Sequence, residues 1–144
     1  MVASLPEGML DLARLSDCFI ASETYSRLLI GGDDPEEGCK RLSELGPQIV
    51  GVTLGARGYV GLVEGRLIRK PAYPMEARDT TGCGDVFHAG FIFGLYQKWS
   101  LEKCFDFAAW SAAQVSLRLG GRSGIPTLEE MKKQGFVSLP GGKC

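Results

Sequence analysis

Asp79-Thr80-Thr81-Gly82-Cys83-Gly84-Asp85 places two glycines and two carboxylates where a helix is expected to begin. The residues that follow, Val86 to Tyr96, are apolar nearly all round, a pattern that predicts a buried helix. The N–H groups at the front of such a helix have no partner inside it, and its dipole is positive at that end. Both features favour phosphate. Gly82 and Gly84 permit a tight turn and let a ligand approach the backbone without an intervening Cβ. Two familiar phosphate loops are excluded. No Lys-Ser/Thr pair follows the glycines, as a P-loop requires, and Phe87 stands where a dinucleotide fingerprint needs its third glycine. A glycine turn that only caps a core helix is the competing reading.

The chain has 144 residues, enough for one domain with a genuine core. With 44% hydrophobic residues, 23% charged residues and a net charge of −1, it is neither disordered nor built for a highly charged partner. Arg66, Arg69 and Lys70 are the nearest approach to a basic cluster, and nucleic acid is not expected as a ligand. No apolar run approaches the ~18 residues of a membrane span, and the N-terminus lacks a signal pattern. A cytoplasmic protein without membrane partners is the expectation. Five cysteines with no Cys-x-x-Cys pair and a single histidine argue against a metal cluster or a disulfide framework. Cys83, at the expected helix N-terminus, is the one placed where a thiol can be acidified.

Working outward, Pro6 to Leu15 reads as a short helix and Cys18 to Ala21 as a buried strand. Asp34-Pro35-Glu36-Glu37 predicts a helix start, with Asp34 as N-cap, Glu37 completing a capping box, and Gly46 as the stop. Ile49 to Leu54 is the next strand, and the strand, helix, strand order implies a right-handed parallel crossover. Tyr59–Val63 and Leu67–Pro71 flank Glu64-Gly65-Arg66 as a hairpin. Beyond the glycine segment, a helix is predicted from Leu101 to Leu119, capped by Ser100 and stopped by Gly120-Gly121. Its Ala108, Ala109, Ala112 and Ala113 give a small-residue face for close packing or for a flat ring. A final helix is predicted from the capping box at Thr127 and Glu130 to about Gln134, before a glycine-rich, mobile tail. The layers add up to an α/β fold: a mostly parallel sheet edged by the hairpin, with helices on both faces.

The string Asp-Thr-Thr-Gly-x-Gly-Asp-x-Phe at 79–87 closely resembles the C-terminal signature of the ribokinase, or PfkB, family of carbohydrate kinases. The resemblance extends from about Asp17 to Met131. Val52-Thr53-Leu54-Gly55-Ala56-Arg57-Gly58 is similar to the family's strand-end Thr-x-Gly-x-x-Gly segment, which lies along the nucleotide. The resemblance implies a three-layer ribokinase-like fold and ATP-dependent phosphorylation of a sugar or sugar-like hydroxyl. It makes Asp85 the general base and the amides of Gly82, Cys83 and Gly84 the anion hole. Thr53, Gly55, Gly58 and Thr81 would contact the nucleotide, with Ala109 and Ala112 beside its ring. A potassium or sodium ion would be held by Asp79, Thr81, Gly121 and Ser123.

From the residues alone, the alternative for Asp85 is a first-turn acid facing the helix dipole, and for Asp79 a turn cap. The family often carries Asn-x-x-Glu after the first strand to organise Mg²⁺ and phosphate, whereas Ser22-Glu23-Thr24-Tyr25 stands here. Family members are roughly twice as long. The resemblance therefore implies that residues 1–144 form the C-terminal, ATP-binding part, without the N-terminal substrate and lid part. On that basis self-association and poor activity of the chain alone are expected. The alternative is a non-catalytic nucleotide-binding or scaffolding module descended from a sugar kinase.

Overall fold

The computed structural model describes residues 8–138, so Pro6 and the glycine-rich tail lie outside the described residues. The chain forms two compact units, one ending at Tyr73 and the other beginning at Pro74.

In the first unit, α1 (Met9–Arg14) leads into β1 (Cys18–Ser22), α2 (Glu23–Ile30) and α3 (Pro35–Glu44). Then come β2 (Ile49–Thr53), a 3₁₀ turn at Gly55–Arg57, β3 (Tyr59–Val63) and β4 (Arg66–Lys70). The four strands lie in sequence order. β1 and β2 are parallel, joined through α2 and α3, and the other two pairs are antiparallel. The sheet is open, and its parallel part within the described residues is one pair of three. A two-residue hairpin replaces the expected three-residue one: Glu64 and Gly65 have φ of 49° and 77°, while Arg66 already pairs with Val63. Positive φ at both central residues matches the twist of the flanking strands.

Strand alternation explains the core. Phe19, Ala21, Val50, Val52, Val60 and Leu62 share one face, and they pack with Leu29 of α2, Cys39 and Leu42 of α3 and Ala13 of α1. β3 is buried at all five positions, so it reads as a continuous apolar run. Burial also pushes the Cys39 thiol up to about 12. α2 was not anticipated. Ser22 starts it by accepting from the Tyr25 N–H at 3.2 Å, an N-cap that the sequence Ser22-Glu23 could have revealed. At α3, Asp34 caps Glu36 N at 2.9 Å, but the capping box does not form. The Glu37 carboxylate instead meets Arg41 one turn on, at 3.2 Å.

In the second unit, α4 (Cys83–Tyr96) and α5 (Leu101–Ser116) form a helical hairpin, followed by α6 (Leu128–Lys133). Small residues set their approach. A Cβ on Gly90 would lie 3.0 Å from Ala108 Cα, and one on Gly94 would lie 2.8 Å from Cys104 Sγ. Phe107 is the centre of an aromatic cluster, with ring centroids 5.0–5.9 Å from those of Phe93, Trp99, Trp110 and Phe136. Ser100 caps α5 as expected, but the helix ends at Ser116 rather than Leu119. The capping box between Thr127 and Glu130 is complete. One expectation is corrected: α4 buries Val86, Phe87 and Phe91 but exposes Ile92 and Tyr96 at 63% and 82%. An apolar composition all round a helix reports no preferred face, so sequence alone could not assign one.

Candidate active site

Asp79 organises the glycine segment. Its Oδ1 accepts from the Thr81 amide at 2.9 Å, and its Oδ2 accepts from the Gly120 amide at 2.8 Å. One carboxylate thus ties the approach to α4 to the loop after α5. Hydrogen bonds from the Thr81 side chain and from the Gly120 and Thr81 amides hold Asp79 below the ordinary carboxylate range. The segment is fixed from a second side, because Arg78 N and Asp79 N both donate to Ser116 O, at 2.8 and 3.1 Å.

Gly82 is the N-cap of α4, with φ of 76°, a left-handed conformation that favours glycine. It also touches the second loop, since a Cβ there would lie 3.0 Å from Gly121 Cα. Gly84, by contrast, has nothing within 4 Å of where a Cβ would be, so the first turn of α4 is open on that side. The Cys83 amide donates to Thr80 O at 3.2 Å, closing the turn. Of the three amides expected to form an anion hole, that one already has a partner. The Cys83 thiol is not acidified. Burial, and then the Asp79 carboxylate, push it up, and Sγ donates to Ala112 O at 3.5 Å.

The two segments line an open cleft of about 750 Å³. Thr81, Gly82 and Asp85 line one side, Gly120 to Ser123 the other, with Val86, Ala89, Leu119 and Ile125 as apolar walls. Asp85, in the first turn of α4, is exposed to this space. Ala109 and Ala112 are half-buried and do not line it. Arg122 does line it, and no local pattern in the sequence singles that arginine out.

Of the four residues expected to hold a monovalent cation, Asp79, Thr81 and Gly121 come together. Thr81 O lies 3.3 Å from where a Cβ on Gly121 would be. The Ser123 hydroxyl is turned into its own loop, donating to Leu119 O at 2.6 Å. Backbone and carboxylate oxygens of this kind suit a hard cation.

The remaining expected contacts belong to the first unit. Thr53 Oγ1 donates to Ala21 O at 3.5 Å, holding β2 against β1. Gly55 opens the 3₁₀ turn. Gly58, with φ of 95°, leaves no room for a side chain, since a Cβ would lie 2.0 Å from Lys70 O. Near the end of β1, Glu23 is engaged by Arg57 and by Arg27, the latter at 3.0 Å. Hydrogen bonding to Arg57, then the charges of both arginines, hold it below the ordinary carboxylate range. Neither Ser22 nor Tyr25 supplies a carboxylate, so this segment does not fit a magnesium site. Among the described residues, no group of three or more His, Cys, Asp or Glu is placed to hold a metal ion, and no helix is long and apolar enough to cross a membrane.

The second unit thus joins a glycine-capped helix N-terminus, a carboxylate in its first turn and a cleft that both line. The pfkB family carbohydrate kinase model matches residues 2–128, and the chain belongs to that family. It is 30% identical over 125 residues to a ribokinase of Haemophilus influenzae, covering 83% of this chain and 41% of the relative. It is also 30% identical over 116 residues to an ATP-dependent 6-phosphofructokinase of Thermoanaerobacterium thermosaccharolyticum, covering 81% and 36%. A crystal structure of a probable sugar kinase from Rhizobium etli superposes with a TM-score of 0.79 at 31% identity, covering 89% of this chain and 39% of that one. The fold is ribokinase-like. The chain spans about two fifths of the length of these relatives.

Proposed function

We propose that this chain carries the nucleotide-binding and proton-abstracting part of an ATP-dependent sugar kinase. The observation that carries the reading is the cleft shared by Asp85, the Gly82 turn and the loop from Gly120 to Ser123. Asp85 takes the proton of an acceptor hydroxyl as its oxygen attacks the γ-phosphorus of ATP and the bond to ADP breaks. The amides of Gly82 and Gly84 face the phosphate oxygens, and Cys83 joins them if its bond to Thr80 is given up. This transition state is loose, so positioning and charge stabilisation supply most of the rate. Thr53, Gly55 and Gly58 serve the nucleotide, as do Thr81, Ala109 and Ala112. Mg²⁺ travels with the nucleotide phosphates and would neutralise their charge when bound. Asp79, Thr81, Gly121 and Ser123 would hold K⁺ or Na⁺. Replacing potassium with a large organic cation tests that site, since unchanged activity rules out a required ion.

Asp85→Asn in the full-length protein tests the base. Nucleotide should still bind while transfer to a panel of sugars falls by roughly a hundredfold or more. Transfer at a near-normal rate refutes the assignment. On its own this chain would bind nucleotide but transfer phosphate poorly, because acceptor orientation and exclusion of water demand more than the cradle. Exposed Ile92, Tyr96, Leu119 and Leu128 favour self-association at high concentration. A strictly monomeric species by light scattering would oppose it. A cytoplasmic location agrees with this chemistry, since ATP and sugars meet there.

A second reading, a nucleotide-binding module without a reaction, is favoured by the engagement of Glu23 with Arg57 and Arg27. Nucleotide affinity that ignores magnesium supports it, and metal-dependent affinity supports the kinase.

A further inference from the structure

We infer that Arg122 is a phosphate-binding residue of the cleft, its guanidinium meeting the polyphosphate tail opposite the first turn of α4. The inference rests on the kinase reading for the identity of the ligand, though not for the existence of the anion site. Asp85 and Arg122 are the charged residues lining the cleft, one on each segment. Within the second unit, Lys133 pairs with Glu129. Arg118 donates from Nη1 to Ser123 O at 3.1 Å, bracing the loop itself. Among the described residues, no carboxylate pairs with Arg122 and its guanidinium makes no hydrogen bond.

The backbone beneath Arg122 is fixed on both flanks, which separates it from an ordinary surface arginine. Gly120 N is held by Asp79, Gly121 packs on Gly82, and Ile125 N donates to Arg122 O at 3.1 Å. Binding therefore orders one side chain rather than a loop. A guanidinium presents a rigid fork of donors matched to phosphate oxygens, and the helix N-terminus presents amides from the other side. Amides alone would leave several negative charges of a triphosphate uncompensated, and Asp85 adds one more. A cation on the facing wall offsets both.

Calorimetric titration with inorganic tripolyphosphate and with ATP tests this in wild type, R122Q and R122K, with thermal melting as the check on folding. R122Q should melt like wild type and bind tripolyphosphate about tenfold more weakly, the loss expected for one charge-assisted contact. R122K should fall between them, because an ammonium keeps the charge without the fork. AMP, with one phosphate, should be least affected. R122Q binding tripolyphosphate within twofold of wild type overturns the inference, as does a wild-type chain that binds no tripolyphosphate. If wild type binds tripolyphosphate through Arg122 but shows no preference for ATP, the anion site stands and the kinase reading fails. If ATP binds equally to all three proteins, the kinase reading stands and the role of Arg122 fails.

Discussion

Gly82 and Gly121 meet backbone to backbone: a Cβ on the first would lie 3.0 Å from the Cα of the second, and a Cβ on Gly121 would lie 3.3 Å from Gly82 Cα. These residues are far apart in sequence, and they bring the start of α4 against the loop that closes the cleft. With φ of 76°, Gly82 is also in a conformation that other residues adopt at a cost. Gly82→Ala should therefore cost about 1–3 kcal/mol from backbone strain, with the clash added, and should weaken phosphate binding. Gly84→Ala meets nothing within 4 Å and should keep the melting temperature while still weakening phosphate binding. Equal loss of stability in both variants would contradict the open face of the first turn.

Asp79 joins the same two segments through Thr81 and Gly120, and its carboxyl is held below its ordinary value. A depressed folded-state value means that its contribution is fully present above the unfolded carboxylate value and is lost as pH falls through the folded one. Glu130, held down by the Thr127 amide and hydroxyl, acts in the same direction. Melting temperature should be flat near neutrality and decline below about pH 4. Asp79→Asn should show a shallower acid decline, because it retains an acceptor but no titrating charge. An identical acid profile would show that Asp79 does not couple folding to protons.

Glu23 is already committed to Arg57 and Arg27. Glu23→Gln should leave the magnesium dependence of nucleotide affinity unchanged while lowering stability slightly, most visibly at low salt. Loss of magnesium dependence, measured by titration with and without the metal, would return Glu23 to the metal site.

Phe107 is 2% exposed at the centre of four ring contacts. Phe107→Ala should cost about 3–5 kcal/mol by denaturant unfolding, through lost burial and a residual cavity. Thr127→Ala, which opens the capping box of a short exposed helix, should cost about 1 kcal/mol. Similar costs for the two would mean that the aromatic cluster is not the core of the second unit.

The elements with local signatures were legible in the sequence. Ser100, Thr127 and Asp34 announce helix starts because an N-cap needs only its own hydroxyl or carboxylate and an amide two or three residues on. Glu64-Gly65 announces a hairpin because both residues must take positive φ. The family likeness of 79–87 followed from one contiguous string, as did the expectation for Asp85. The capping box at Glu37 failed because Arg41, one turn on, competes for the same carboxylate.

What the tertiary structure decided is whatever depends on contacts between distant positions. Asp79 accepting from Gly120, Gly82 resting on Gly121 and the cleft that includes Arg122 join segments some forty residues apart. No spacing rule connects them. The exposed side of α4 belongs to the same class, because an apolar residue carries no record of which neighbour, if any, covers it. Local hydrogen-bonding chemistry by itself determined the hairpin and the helix starts at Asp34, Ser100 and Thr127. Packing alone decided which residues share the cleft, because long-range approach is set by the summed shape of the elements and not by any one residue.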